Sequence, residues 1–347
     1  MSRMLASHHV LRAQRPWSAP ISIPDTEPRP SATDASAVLA TAITRAASSQ
    51  TYFTIRYLVD RPLVADAYRA YAYFRWLDDI VDEGCASAAE QLAFLERQQA
   101  IVSACYQGGL LTNLCPQEQM AADLIRGDHE INSGLRTYIE QMMAVMAFDA
   151  GRKGRLITQA ELDGYTQALA TAVTEALHHF IGHDDVCPSD EAPPDGGRYL
   201  AVTGAHITHM LRDMVEDTAV GYHNIPRELL ETHGLTAPDI HHPACREWVQ
   251  SRAQLARDCF TAGRVQLAQM PNRRRRLAGF AYIGRFELVL DAIEKDDYVL
   301  RLDYPERKSK WAALKMGWTA VSQSLGVVAR FSKSSSDFLN RPTMETK

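Results

Sequence analysis

The chain has 347 residues, which suffices for one large domain or two smaller ones. Hydrophobic residues make up 46% and charged residues 23%, as in ordinary globular proteins, and the net charge of −5 gives no basic field for nucleic acid. Six cysteines without a CxxC pair argue against a zinc site or a disulfide scaffold, and no apolar run of about 18 residues is available to span a membrane. We therefore expect a cytoplasmic protein.

The spacing of apolar residues and of helix-terminating residues predicts helices along most of the chain. They are predicted over residues 35–47, 62–83, 86–106, 116–131, 134–149, 158–183, 199–218, 243–270, 276–295 and 309–328. Residues 48–52 are interpreted as a polar junction, residues 184–198 as a loop, and the four arginines at 273–276 as a solvated turn.

Alternating patterns typical of β-strands are almost absent, so the predicted fold class is all-α. A single helical domain is expected over residues 36–330. The segments outside it, residues 1–35 and 331–347, are rich in small polar residues, with prolines in the first and lysines in the second. They are expected to be flexible tails.

The first chemically distinctive segment is residues 68–83, YRAYAYFRWLDDIVDE. Asp78 and Asp82 are four positions apart and therefore share one face of a helix, with Arg75 one turn before them. The flanking residues are mostly apolar, which is unusual for an acidic face that merely contacts solvent. The pattern indicates a partly buried pair of carboxylates beside an arginine.

A second segment, residues 209–217 (HMLRDMVED), repeats this arrangement. Asp213 and Asp217 are four positions apart, Arg212 precedes them and Glu216 lies between them. Two such helices in one chain favour a functional interpretation over a solvated surface.

Carboxylates on facing helices need cations, because two unit charges ~4 Å apart repel by about 4 kcal/mol at an effective dielectric constant of ~20. Oxygen ligands suit Mg²⁺, which commonly joins one or two carboxylates to a substrate phosphate. Arg75 and Arg212 suit phosphate oxygens because a guanidinium stays charged and binds bidentately. The pattern predicts metal-assisted departure of a diphosphate.

These segments resemble the squalene/phytoene synthase family, all-α enzymes that ionise allylic diphosphates with Mg²⁺. The resemblance covers about residues 49–315 and includes residues 49–52 (SQTY) and, more loosely, residues 290–298 (LDAIEKDDY). It implies an isoprenoid-synthase-type helical bundle with a central cavity. The Mg²⁺ ligands that it implies are Asp78, Asp82, Asp213, Asp217 and Glu216. The diphosphate-binding residues that it implies are Arg75, Arg212, Tyr71, Ser49 and Thr51.

Several positions depart from the family pattern. His206 and His209 occupy positions where Gln and Asn are usual. The family's Gly-Arg-x-Tyr-Leu-Pro is replaced by residues 221–226 (GYHNIP), so an arginine and a tyrosine are missing. The mid-chain glycine-containing motif is bulkier and acidic at residues 170–175 (ATAVTE). A looser alignment places two more departures, from Tyr and Arg, at Phe286 and Asp303.

The missing cationic and phenolic groups argue against a second diphosphate as the acceptor. The residues available to hold a flat heteroaromatic acceptor, or to take its proton, are His206, His209, Tyr222, His223 and Asn224. The residues expected to line the cavity and shield the cation are Tyr52, Phe53, Tyr73 and Phe74. This interpretation favours prenyl transfer to a carbazole- or indole-like acceptor in secondary metabolism. In this respect the chain is similar to a small subgroup of the family that prenylates aromatic compounds.

Other functions remain open at this point. One is an ordinary head-to-head synthase that condenses two prenyl diphosphates. A class I terpene cyclase would require an Asn/Ser/Glu spacing that the second motif lacks, and a head-to-tail elongase would require doubled leading aspartates. A non-catalytic assembly factor would have no need for mutually repelling acid pairs. The histidines also have a purely structural interpretation as hydrogen-bonded core residues, and a homodimer is left open.

Overall fold

The computed structural model describes residues 32–85, 87–109, 111–183 and 196–305. Its helices, α1 to α11 in chain order, are Ala32–Ala47, Ser49–Leu58, Val64–Asp79, Ala88–Tyr106, Pro116–Arg126, Gly134–Arg152, Gln159–Phe180, Leu200–Ala219, Arg227–Thr232, Pro243–Gln269 and Arg273–Lys295. Two 3₁₀ turns, Arg61–Leu63 and Gly197–Tyr199, and a π-helical turn, Ile80–Gly84, accompany them. No strand occurs in these four ranges, and the prediction of an all-α fold is confirmed.

The chain divides into two compact units, Met1–Arg136 and Thr137–Lys347. The first unit contains the first acid motif, and the second unit contains the second. The single helical domain expected over residues 36–330 stays a prediction.

In the first unit, α3 packs against α1 and α5, and α5 also packs against α4. The largest fully buried side chains of this core are Tyr73, Phe74, Leu77, Met120 and Leu124. A buried hydroxyl fastens α1 to its neighbours, because Ser36 Oγ donates to Asp123 Oδ2 at 2.7 Å and accepts from Arg69 Nε at 3.0 Å. The helix that carries the first acid motif is therefore held on two sides.

In the second unit, α8 lies at the centre and packs against α7, α10 and α11. Two glycines allow α8 and α10 to approach closely. A Cβ added to Gly204 would lie 2.9 Å from the carbonyl oxygen of Ala256, and one added to Gly263 would lie 2.9 Å from the backbone nitrogen of Ala201. The second acid motif lies on this central helix.

We expect Gly263→Ala to destabilise the protein by about 1–3 kcal/mol, because its methyl group meets backbone atoms that cannot rotate away. Gly164→Ala in α7 is the matched control. No heavy atom lies within 4 Å of its added Cβ, so we expect a gain of about 0.4–1 kcal/mol. Urea unfolding of both variants checks this, and equal stability of the two would contradict the close approach of α8 and α10.

Two local predictions were wrong. The supposed polar junction at 48–52 begins α2, whose N-terminus is capped by the Ser48 side chain, which accepts from Thr51 N at 3.1 Å. The arginine cluster is only half solvated, because Arg275 and Arg276 are buried and donate to backbone carbonyls. The carbonyls that Arg275 meets belong to His178, Ile181 and Gly182 at the end of α7.

The helix expected from residue 158 is present as α7, whose N-terminus has a capping box of Thr158 and Glu161, and the short helix α9 was missed. Residues 1–31 and 331–347 of the expected tails, residues 184–195 of the expected loop and the expected helix at 309–328 lie outside the described residues. Within the described ranges, no helix combines the length and apolar character needed to cross a membrane.

Candidate active site

The first acid motif lies where α3 ends and widens into the π-helical turn Ile80–Gly84. Asp78 is buried, with 2% of its surface exposed, Asp82 is half-buried, and the Asp79 side chain is 52% exposed. Single π-helical turns within helices are frequent at functional sites. Adjacent residues of an α-helix point about 100° apart, which leaves Asp78 buried and Asp79 exposed.

Arg75 contacts both adjacent aspartates. One terminal nitrogen, Nη1, lies 3.5 Å from Asp78 Oδ2, and the other donates to Asp79 Oδ1. The Arg75 side chain is 16% exposed, so its charge is screened less than that of a surface arginine. This guanidinium offsets the repulsion between the two carboxylates.

Tyr71, one turn before Arg75, belongs to a cluster of hydroxyl groups. Its side chain hydrogen-bonds with Thr51 and Ser48, whose own oxygens are 2.9 Å apart, and burial raises the pKa of the phenol. The sequence placed Ser49 in this role, but Ser49 is exposed and the adjacent Ser48 takes the position. Thr51 and Tyr71 thus lie together beside Arg75, as expected.

The four aromatic residues expected to line a cavity do not share one environment. Tyr52 is half-buried, Phe53 is 51% exposed, and Phe74 is buried. Tyr73 faces α4 instead, because its hydroxyl donates to Gln98 Oε1 at 3.2 Å in the core of the first unit. Tyr73 is therefore a core residue in this structure, and we remove it from the cavity set.

In the second motif, Arg212 binds both oxygens of its neighbour Asp213, from Nε and Nη2, at 2.6 Å each. The same Nη2 contacts His209 Nε2, which lies 3.5 Å from Asp213 Oδ2. Burial lowers the pKa of His209 well below its usual range, and the charge of Arg212 lowers it further. His209 is therefore neutral and accepts from Arg212. Asp217 and Glu216 follow, both half-buried.

A buried chain of hydrogen bonds leads to Asp217 from the end of α6. Arg152 Nε donates to Asp149 Oδ1 at 2.7 Å, and Arg152 Nη1 donates to Asn224 Oδ1 at 2.7 Å. Asn224 Nδ2 then donates to Asp217 Oδ2 at 3.1 Å. Tyr165 of α7 donates to the other oxygen of Asp149 at 3.0 Å. Asn224, which the sequence offered as an acceptor-binding residue, is thus occupied by an arginine and an aspartate.

Backbone bonds bring these groups together. The segment after α8 is joined to the connection between α6 and α7 by Gly154 N to Gly221 O and by Arg227 N to Ile157 O, both at 2.7 Å. Tyr222 N donates to Asp217 O at 2.8 Å, and the Tyr222 ring lies 5.1 Å from the Arg152 guanidinium. Tyr222 therefore covers the arginine rather than standing apart from it.

His206 and His223 differ from the other candidates because they have unbonded ring nitrogens. Neither nitrogen of His206 nor Nδ1 of His223 has a hydrogen-bond partner among the described residues. His206 is 1% exposed, its ring lies 5.0 Å from that of Tyr165, and burial lowers its pKa to about 3. Burial also lowers the pKa of His223.

The buried histidines predict a loss of stability in mild acid. The pKa values of His206 and His178 are about 3 in the folded chain, while the unfolded value is about 6.5. Between these values only the unfolded state takes up the proton. The free energy of unfolding therefore decreases by about 1.4 kcal/mol per histidine for each unit by which the pH is lowered. Urea unfolding at pH 5 to 6.5 checks this. His178→Gln should flatten the slope, whereas the exposed His129→Gln should not, and identical slopes in all three proteins would contradict it.

The donor set of both acid motifs suits Mg²⁺ rather than a softer metal, because it consists of carboxylate oxygens. The first motif has two candidate carboxylate ligands and the second has three, and within the described residues no cluster of three or more His, Cys, Asp or Glu side chains is arranged as a metal centre. The residues therefore fit a hard cation whose remaining ligands come from substrate oxygens and water.

A model of the squalene/phytoene synthase family matches residues 44–313. The chain belongs to the squalene/phytoene synthase family. Members of this family are prenyltransferases. The crystal structure of squalene synthase HpnC from Alicyclobacillus acidocaldarius is similar in fold, with a TM-score of 0.58 and 19% identity over 78% of this chain and 100% of that chain.

Two curated relatives are presqualene diphosphate synthases. The one from Rhodopseudomonas palustris is 25% identical over 199 residues, and the one from Zymomonas mobilis is 30% identical over 202 residues. Each match covers 56% of this chain and only 64% and 61% of the respective relatives.

The structure shows which residues contact the positions where this chain departs from the family pattern. Residues 221–226, which lack the arginine of the family pattern, are contacted by Arg152 of α6 through Asn224. Glu175, the acidic residue of the altered mid-chain motif, accepts from Arg198 at 2.6 Å and from Tyr199 at 2.8 Å. Phe286 lies 6.2 Å from the His209 ring, whereas Asp303 is exposed.

Sequence reasoning missed four residues of this region: Ser48, Asp149, Arg152 and Tyr165. Ser48 had a detectable signal, because serine is a preferred N-cap and an aromatic segment follows it. Arg152 had none, because it is 72 positions from Asn224 and no sequence spacing relates the two.

Proposed function

We propose that this protein is a Mg²⁺-dependent head-to-head prenyl synthase that condenses two allylic prenyl diphosphates. The family supports the prenyltransferase class, and the names of both curated relatives support a product of the presqualene diphosphate type. The comparisons offer no support for transfer to an aromatic acceptor.

The observation that carries the proposal is the match of residues 44–313, which include both acid motifs, to the squalene/phytoene synthase family. The argument against a second diphosphate rested on an arginine and a phenol that residues 221–226 lack. Arg152 and Tyr165 place a guanidinium and a phenol beside the same segment from other helices. Both side chains are bonded to Asp149, so they keep this region polar, and the missing residues alone do not decide between a diphosphate and an aromatic acceptor.

The carboxylates proposed to hold Mg²⁺ are Asp78, Asp82, Asp213, Asp217 and Glu216. When bound, Mg²⁺ neutralises the charge that develops on the departing diphosphate. Arg75 and Arg212 are proposed to donate to diphosphate oxygens, with Tyr71 and Thr51 donating from their hydroxyl groups. Their ion pairs with Asp78, Asp79 and Asp213 hold both guanidinium groups in place before substrate binds.

In the proposed reaction, the C–O bond of the donor breaks and its electron pair leaves with the diphosphate. The double bond of the second substrate attacks the allylic cation, and a proton is lost to the released diphosphate or to a neighbouring base. The second substrate keeps its own diphosphate, as the name presqualene diphosphate requires. Tyr52, Phe53 and Phe74 are proposed to shield the cation with their ring faces.

The aromatic-acceptor interpretation stays a prediction. Three of its five candidate acceptor-binding residues already have partners. His209 accepts from Arg212, and Tyr222 covers Arg152. Asn224 bridges Arg152 and Asp217. The remaining two, His206 and His223, have ring nitrogens free of partners among the described residues. They keep the alternative testable.

A product assay separates the two functions. The full-length protein is incubated with Mg²⁺ and labelled C10, C15 or C20 allylic diphosphates, each alone and with indole and carbazole acceptors. We expect a coupled diphosphate or hydrocarbon from the diphosphate alone, unchanged by the acceptor and abolished by EDTA. A prenylated aromatic formed only with acceptor would establish the alternative and overturn the proposal.

A further inference from the structure

Asp217 lies at one end of a buried hydrogen-bond chain whose other end is the ion pair of Asp149 and Arg152. We propose that Arg152 is a positioning residue that acts through Asn224 to orient the Asp217 carboxylate toward a divalent cation. The inference rests on the proposed function, in which Asp217 is a Mg²⁺ ligand.

The amide of Asn224 links Arg152 to Asp217. Its oxygen accepts from Arg152 Nη1 at 2.7 Å, and its nitrogen donates to Asp217 Oδ2 at 3.1 Å. An amide turned by 180° would place its NH₂ group against the guanidinium and its oxygen against the carboxylate, which is repulsive at both ends. Asn224 is 1% exposed, so water does not compete for either bond. The position of Arg152 therefore decides the orientation of the amide, and the amide decides which oxygen of Asp217 is held.

Arg152 is itself fixed on several sides. Its Nε donates to Asp149, and its guanidinium lies 5.6 Å from the ring of Phe148 and 5.1 Å from those of Tyr165 and Tyr222. Burial disfavours the charge of Arg152, yet the neighbouring Asp149 carboxylate raises its pKa above the usual value, and Arg152 is among the groups that lower the pKa of Asp149. Only a guanidinium can donate to Asp149 and Asn224 in two directions while stacking on aromatic rings, so lysine is a poor substitute.

Residues that hydrogen-bond to metal ligands fix ligand orientation, and their replacement usually lowers metal affinity about 10–100-fold. We therefore expect Arg152→Met and Asn224→Leu to weaken divalent-metal binding by about that factor. Arg152→Lys should give an intermediate loss. Because the effect runs through metal binding, activity should recover in part at high Mg²⁺ concentration.

The test measures binding of Mn²⁺, in the presence of inorganic diphosphate, to the full-length protein by electron paramagnetic resonance. The Mg²⁺ concentration for half-maximal activity is measured in parallel. Arg276→Met is the matched control, because Arg276 is another buried arginine of the second unit whose guanidinium donates to backbone carbonyls away from the acid motif. It should lose stability without a change in either metal measurement.

Asp217→Asn distinguishes a failure of the proposed metal site from a failure of the positioning role of Arg152. If Asp217→Asn leaves Mn²⁺ binding unchanged, Asp217 is not a metal ligand, and both the proposed metal site and the present inference fail. If Asp217→Asn weakens binding but Arg152→Lys and Asn224→Leu do not, the metal site stands and the inference alone is overturned. If Arg152→Met does not fold, these two milder variants decide the outcome.

Discussion

Asp78→Asn should lower product formation by about 10³-fold, because metal-assisted departure of a leaving group contributes several kcal/mol of transition-state stabilisation. Asn keeps the shape of the side chain and removes its charge. Since Asp78 is 2% exposed and lies next to Arg75, the loss of charge acts at a site with little water to compensate. The helical circular dichroism signal should be unchanged.

The adjacent Asp79→Asn is the matched control for this prediction. Asp79 contacts the same arginine, but its side chain is 52% exposed, so we expect a loss of less than about tenfold. Steady-state kinetics with a saturating allylic diphosphate compare the two variants. Equal losses in both would show that the motif acts through its total charge. Full activity of Asp78→Asn would remove Asp78 from the site.

Arg212→Met should lower kcat by about 10²–10³-fold, the usual effect of removing one pre-organised donor to a charge that develops in the transition state. Arg212 is buried and donates to both oxygens of Asp213, so the orientation of its guanidinium is fixed before substrate binds. Arg212→Lys keeps the charge but loses the two-point contact with Asp213, so its kcat should lie between those of the wild type and of Arg212→Met. The expected effect falls on kcat more than on KM.

Arg257→Met provides the comparison within the same unit. Arg257 of α10 also binds both oxygens of a carboxylate, that of Glu294, and contacts Asp291 as well, but both partners lie on α11 and neither belongs to the acid motif. It should lower the melting temperature and leave kcat within about threefold, as expected of a partly exposed ion pair. A kcat of Arg212→Met equal to that of Arg257→Met would contradict a role for Arg212 in binding diphosphate.

Much of the helical framework follows from the sequence, because long amphipathic segments and their caps are local features. The start of α7 could be predicted from Thr158 and Glu161 alone. The helix α2 could not, because its residues SQTYFTIRYL include β-branched and aromatic side chains of modest helix propensity. Its stability comes from the Ser48 cap and from stacking of Tyr52 on Tyr68 at 5.5 Å, which is a tertiary contact.

The candidate site was predictable to the extent that it lies along single helices. The pairing of Arg75 with Asp78 and Asp79, three and four positions away, and that of Arg212 with its neighbour Asp213 are local in sequence. The π-helical turn that follows Asp79 has no sequence signature, and the bond between Arg152 and Asn224 depends on how α6 meets the segment after α8. The arginine and tyrosine missing from residues 221–226 therefore carry little information without the residues that fold against this segment.

The most direct test of the central claim is an isotope-mixing experiment. The protein receives Mg²⁺ and equal amounts of an unlabelled allylic diphosphate and the same compound with a deuterated prenyl chain, and the product is analysed by mass spectrometry. Head-to-head condensation predicts product molecules with no, one or two labelled chains in statistical proportion. Product that contains a single prenyl chain, labelled or unlabelled but never mixed, would contradict the account.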